Sequence, residues 1–341
     1  MGFKVLYHLT TGNLKGIAEE AKWAESLGYD GLCTEEAAHD PMLPLMMAAS
    51  TTSRVTLETR VAIAFPRSPM VMAYAARDLQ DYSNGRFRLG LGTQVKGHIQ
   101  RRFSTEWTAP GPRMREYVQS LHAIWDSWQT GERLAHHGEH YNFSLMTPFF
   151  SPGKSEQPGP PVFISAVNPY NCRVAGEVCD GIALHPLTTP KYLKEVIVPN
   201  IADVAARAGR DPKSVNLSNS SFIVTGPNQA AIDANKLATR KQIAFYCSTR
   251  SYSKVLEVQG FEELGVWLHE MSLKQQWDRM TDLITDEILD AFAVVGGYSE
   301  IPGLMKERFD GMLDEVVFNA GGPGGSDEAE IRKVVEGLQG S

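Results

Sequence analysis

Cysteine is scarce: Cys33, Cys172, Cys179 and Cys247 are the only four in 341 residues, and none pairs at the short Cys-x-x-Cys spacing. A disulfide framework, a zinc ribbon and a redox dithiol are thereby set aside, and the four read as buried thiols of a protein in the reducing cytoplasm. Positive charge is also in deficit, with 33 Lys plus Arg against 40 Asp plus Glu and a net charge of −7. A chain of that sign repels a phosphate backbone, so no nucleic-acid partner is expected. No apolar run approaches the roughly 20 residues needed to cross a bilayer, and Met1 to Tyr7 lacks the basic start and apolar stretch of a secretion signal. No membrane partner is expected either. Disorder is excluded by a composition that is 43% hydrophobic and 21% charged.

Several familiar motifs are present only in part. Gly90-Leu91-Gly92 opens like a dinucleotide fingerprint, but Val95 stands where the third glycine belongs. Gly153-Lys154-Ser155 resembles the end of a P-loop, yet Pro148 occupies the position of its first glycine. His136, His137, Glu139 and His140 lack the i, i+4 helical pairing of a zinc hydrolase and read as a solvated loop. There is no Gly-x-Ser-x-Gly elbow, which argues against an α/β hydrolase.

What is present is alternation. Short apolar runs at Phe3 to Leu9, Gly31 to Cys33, Val55 to Phe65 and Arg86 to Leu91 are each followed by apolar residues at helical spacing, closing with a helix from Pro112 to Thr130. After an excursion from Gly131 to Pro161, expected to cross the catalytic face, strands follow at Val162 to Ala166, Gly181 to Leu184, Val215 to Thr225 and Glu315 to Asn319. Helices are expected at Pro169 to Cys179, Pro190 to Ala208, Gln229 to Tyr246 and Ser299 to Phe309. Runs that are apolar throughout, and not alternating, suit a parallel sheet covered on both faces. Eight such units predict an α/β fold, a (β/α)8 barrel forming one domain over residues 1–341, with insertions at about 131–161 and 251–290. A doubly wound two-domain protein is the rival reading.

In a barrel the chemistry gathers where strands end. After the second strand comes Glu35-Glu36-Ala37-Ala38-His39-Asp40-Pro41, a titratable cluster that reads either as a site or as a hydrated loop with a helix cap. After the fourth comes Gly92-Thr93-Gln94-Val95-Lys96-Gly97-His98-Ile99-Gln100-Arg101-Arg102, which suits an anionic heteroaromatic cofactor or forms a basic helix face in solvent.

Five segments follow one another along the chain: Ala24-Glu25-Ser26-Leu27-Gly28-Tyr29-Asp30-Gly31, His39-Asp40-Pro41, Phe65-Pro66-Arg67-Ser68-Pro69, Gly85-Arg86-Phe87-Arg88-Leu89-Gly90-Leu91-Gly92-Thr93 and Ala175-Gly176-Glu177-Val178-Cys179-Asp180-Gly181. Their order resembles the bacterial luciferase-like family, and within it the branch using the deazaflavin coenzyme F420. The resemblance implies a TIM barrel of the luciferase-like type, with the cofactor ring lying across the strand ends. A non-proline cis peptide is implied near Arg60-Val61-Ala62, where relatives carry small residues and this chain carries arginine. It implies cofactor contacts from Thr93, Gln94 and His98, a phosphate loop at Ala166, Val167 and Asn168, and a further contact from His185. His39 is implied as the acid-base residue, with Glu36 or Glu35 as the alternative if burial raises its pKa. The implied activity is hydride transfer between coenzyme F420 and a small organic substrate, by a homodimer. FMN with oxygen, giving a monooxygenase, and a non-catalytic ligand-binding barrel are the alternatives. Trp107, Tyr141, Phe143, Met146, Phe149, Phe150, Trp267 and Met271 read as lining for an apolar substrate or as core filler.

Overall fold

A computed structural model describes residues 2–340. Its strands in chain order are β1 (Lys4–His8), β2 (Gly31–Thr34), β3 (Thr56–Thr59), β4 (Ala62–Ile63), β5 (Phe87–Gly92), β6 (His136–His137) and β7 (Asn142–Phe143). They continue with β8 (Val162–Ser165), β9 (Gly181–Leu184), β10 (Asn216–Asn219), β11 (Phe222–Val224), β12 (Ala293–Val295) and β13 (Glu315–Val317). The order β3-β2-β1-β13-β10-β9-β8-β5 is parallel throughout, and β3 pairs with β5 to close the ring. The result is an eight-stranded (β/α)8 barrel in which β4 continues β3 beyond a break. The doubly wound alternative, which would leave two open edges, is overturned by that closure.

The segments shared with the family are largely scaffold. The Glu25 carboxylate accepts from the backbone N–H groups of Ser53, Arg54 and Val55, where the chain enters β3. Asp30 does the same for Val5 and Asp180 for Val162. Arg86 gathers the carbonyls of Ala49, Thr52, Val55 and Ser83. All lie at the amino ends of strands, where a barrel invests in stability and not in chemistry.

The barrel interior carries a charged layer that apolar strand patterns gave no hint of. Glu58, fully buried on β3, meets Arg60 at 2.8 Å and Arg88 at 2.8 Å, and Arg88 meets Glu315 of β13 at 2.7 Å. Two cations and two anions balance, which is the condition for burying charge at tolerable cost. Burial works to raise the Glu315 carboxyl, but Arg88 beside it prevails and holds it below its ordinary value.

Four sequence expectations change. The run from Val215 to Thr225 is not one strand: β10 stays in the barrel, while β11 leaves it after Ser220 and pairs in parallel with β12. The helix Gln229–Cys247 packs on β11 and on the helices Glu262–Leu273 and Trp277–Met280, so the insertion takes in this helix as well as the 251–290 segment. The barrel's own helix before β13 is Ile301–Phe309. The helix expected from Pro190 to Ala208 is interrupted by a π turn at Leu193–Ile197, next to Pro199, which has no N–H to continue the α-helical ladder.

The fourth change concerns the excursion. From Phe150 to Pro158 the excursion runs down the outer flank, along the helix Pro69–Tyr82. The Tyr74 hydroxyl donates to Phe150, Arg77 to Gly153 and Gln80 to Pro158. Phe149 is 89% exposed, so it is not core filler. The histidine stretch is a hairpin of β6 and β7, clasped by the Glu116 carboxylate through the N–H groups of Glu139 and His140; His137, Gly138 and Glu139 are exposed, in keeping with a solvated loop, while His136 and His140 are half-buried.

Candidate active site at the carboxyl ends of the strands

The break between β3 and β4 is a cis peptide between Arg60 and Val61, at the place the resemblance implies. Glycines on β5 let this bend pack closely. A Cβ on Gly90 would stand 1.9 Å from the Thr59 carbonyl oxygen, and one on Gly92 would stand 2.6 Å from Val61 Cγ2. The partial dinucleotide fingerprint is therefore a packing device. Arg60, the departure from small residues, points inward and bonds Glu58, the Ser218 carbonyl at 2.6 Å and Ser220 Oγ at 2.8 Å. It is spent on joining β3 to β10, and Ala62 is buried behind the bend.

The two loops singled out in the sequence meet. The short helix Lys96–Arg101 follows the β5 turn, and Arg102 at its end donates to the Ala37 carbonyl in the β2 loop. Within the turn, Gln94 adopts φ +57° and its side chain accepts from Val95 N–H, while the Thr93 hydroxyl donates to the Gln94 carbonyl. His98 is exposed, with Nδ1 3.5 Å from Arg102. Lys96 and Arg101 have no carboxylate partner among the described residues.

Glu36 is committed elsewhere. Its carboxylate accepts from Ile63 N–H at 2.7 Å and from Arg67 at 2.7 Å, while Asp40 holds the other arm of Arg67 at 3.1 Å. Burial would lower the Arg67 guanidinium, but these carboxylates keep it above its ordinary value. Asp40 also caps the helix Met42–Ala49 through Met42 N–H. His39 is exposed, its Nε2 beside Gly12 in the loop after β1, and it makes no hydrogen bond among the described residues.

Glu35 meets a residue that sequence reasoning passed over. Its carboxylate pairs with Nε2 of His8, the last residue of β1, and this contact draws the carboxyl below its ordinary value where the sequence reading allowed for a raised one. The available signal was a histidine closing an apolar strand. Further round the rim, Ala166 is buried, Val167 accepts from the Tyr192 hydroxyl, and Asn168 caps the helix Pro169–Val178 through Asn171 N–H at 2.9 Å. β5 and β8 are neighbours in the barrel, so this helix start and the Lys96–Arg101 helix rise from adjacent strands.

His185, after β9, packs against Tyr246 at 4.5 Å and Tyr252 at 4.3 Å between ring centres. Its Nδ1 accepts from Leu187 N–H, so the proton of the neutral ring sits on Nε2. Burial pushes its pKa down to about 3. Both tyrosines come from the insertion and had no sequence signal beyond helical spacing.

A sequence profile of the luciferase-like monooxygenase family matches residues 2–315. The chain belongs to this family. An uncharacterised protein of Mycobacterium tuberculosis is 47% identical over 300 residues, 88% of each chain. A putative coenzyme F420-dependent oxidoreductase of the same organism is 25% identical over 305 residues, 83% of this chain and 84% of that one. Among solved structures, the coenzyme F420 dependent tetrahydromethanopterin reductase from Methanopyrus kandleri superposes with a TM-score of 0.75 at 19% identity, covering 99% of this luciferase-like chain and 98% of that one. An EDTA monooxygenase from Chelativorans sp. BNC1 reaches the same TM-score of 0.75 at 13% identity, over 100% and 94%. These two likenesses speak for the fold alone. No helix among the described residues is long and apolar enough to cross a membrane.

Proposed function

We propose that this luciferase-like protein is a coenzyme F420-dependent oxidoreductase acting on a small organic substrate, as a homodimer. The observation that carries the reading is the pairing, on adjacent strand ends, of an Asn168-capped helix start with an exposed helix whose Lys96 and Arg101 lack carboxylate partners. A helix start receives a phosphate, and uncompensated cations beyond it suit a longer anionic tail than FMN carries. The residues therefore suit the deazaflavin: Asn168 and the helix it caps would hold the phosphate, Lys96 and Arg101 the tail, and Thr93, Gln94, Val61, His98 and His185 would help to hold the ring. When bound, the cofactor supplies a hydride or accepts one. The chain itself orients the reactants, excludes water and moves the accompanying proton at a strand end, where the resemblance puts His39.

The sequence-level likeness to a protein named as F420-dependent supports the same choice. FMN-dependent monooxygenation is the second reading, because the family's description names a monooxygenase. Titrating the purified protein with oxidised coenzyme F420 and with FMN, by tryptophan fluorescence, separates the two. Micromolar deazaflavin binding that weakens about tenfold in K96E/R101E is expected. Preference for FMN overturns the reading, and binding of neither favours a non-catalytic barrel.

A further inference from the structure

We propose that His8 and Glu35, on the ends of β1 and β2, are the acid-base couple of this site: His8 Nδ1 gives or takes the proton and Glu35 positions and supports the imidazole. The proposal rests on the oxidoreductase reading above and names a group which that reading left to His39.

His8 is held on three sides. It is the last rung of β1, with Cys33 of β2 as its ladder partner. On the other side β13 ends at Val317, and the side chain of Asn319 takes over from the ladder: His8 N–H donates to Asn319 Oδ1 at 2.9 Å, and Asn319 Nδ2 donates to the His8 carbonyl at 2.8 Å. The third contact is Nε2 with Glu35. Because the carboxylate accepts, Nε2 carries its proton towards Glu35, and Nδ1 is left as the edge that changes state. The two side chains are 26% and 45% exposed, so the couple is open to a reactant at the mouth.

The surroundings favour this work. The hydrogen bond from His8 draws the Glu35 carboxyl below its ordinary value, so Glu35 is a carboxylate at neutral pH. Charged and titratable groups near the couple are few: Cys33 beneath it on β2, a neutral thiol raised by burial; Arg60 of β3, committed to Glu58; and Tyr246 of the insertion, a neutral phenol whose pKa is raised by burial and then by Glu35. None competes for the proton. His39 lacks an orienting partner and Glu36 is saturated by Arg67 and Ile63, so neither offers a comparably fixed group.

In the reducing direction a substrate carbonyl carbon gains a hydride, hence two electrons, from reduced deazaflavin, and the carbonyl oxygen takes the proton from His8 Nδ1 to complete the alcohol. The imidazole is left neutral beside an unchanged carboxylate, and solvent returns the proton. In the oxidising direction His8 takes the hydroxyl proton as the hydride leaves.

The first test needs no cofactor. The histidine ring resonances of the apoprotein are followed by NMR against pH, with His8 assigned by its loss in H8N. The His8 ring resonances are expected to respond to E35Q, which alters the acceptor at Nε2, and ring resonances that match the wild type across the pH range overturn the couple. With reduced coenzyme F420 and cyclohexanone as the probe, H8N is expected to lower kcat about 100-fold or more with deazaflavin affinity unchanged. E35Q is expected to lower kcat and leave KM alone, because the imidazole loses the group that orients it, while H39N keeps most of the rate. Loss of turnover in H39N with full turnover in H8N overturns the proposal and leaves the oxidoreductase reading intact. Failure to bind deazaflavin sinks that reading instead, with the His8 titration still deciding whether the couple exists.

Discussion

Glu36 and His39 are three residues apart and have opposite situations. Glu36 has every strong partner it can use, so its removal is a structural injury: Glu36→Ala strands Arg67 and the Ile63 N–H and is expected to cost about 2–3 kcal/mol in urea unfolding. His39→Asn removes an exposed ring without bonds, and its unfolding midpoint is expected to stay within error. The glycines of β5 give a sharper contrast. Gly92→Ala meets the movable end of Val61, at a cost of about 1–3 kcal/mol, whereas Gly90→Ala meets a carbonyl oxygen that cannot retreat. A calorimetric comparison in which the two variants melt together would contradict this packing account.

At the scale of elements, the joint between barrel and insertion is an imidazole between phenol rings. Since the folded pKa of His185 is depressed to about 3 from an ordinary 6.5, folding keeps the ring neutral where an unfolded chain would protonate it. The contribution is complete above pH 6.5 and is lost as pH falls towards 3. Thermal unfolding of the wild type is therefore expected to fall more steeply between pH 6.5 and 4 than that of His185→Asn, and parallel curves would show that the ring does not couple the insertion to pH. The same joint explains what the sequence hid. Strand-helix alternation was legible because each barrel unit has its own apolar period, but β11 and β12 are three residues each, with 68 residues between them. No local pattern announces a pairing made at that distance.

For the whole molecule, the charged layer of Glu58, Arg60, Arg88 and Glu315 belongs to no single element. Its carboxylate Glu315 has a folded pKa below the ordinary value, so its stabilisation is present above the ordinary carboxylate range and disappears as acid brings pH through the folded pKa. Arg88→Met is expected to cost about 3–5 kcal/mol by leaving the buried Glu315 without its ion-pair partner and Glu58 with Arg60 alone. A loss below 1 kcal/mol in denaturant unfolding would mean that the layer is hydrated. The proposed homodimer is tested at this scale too, by sedimentation of the purified chain.

The sequence by itself determined the eight-unit barrel and the family, because the carriers of both are local: apolar periods, and capping residues such as Glu25, Asp30, Arg86 and Asp180 that act within one or two units of their own position. Those same residues sit at the strand ends remote from the mouth, which is why they identify the family and are silent on its chemistry. The tertiary structure decided the rest. Only the closed ring of strands brings His8 to Glu35, Arg102 to Ala37 and the insertion's tyrosines to His185, since contacts between strand ends depend on where neighbouring strands stop and not on spacing along the chain.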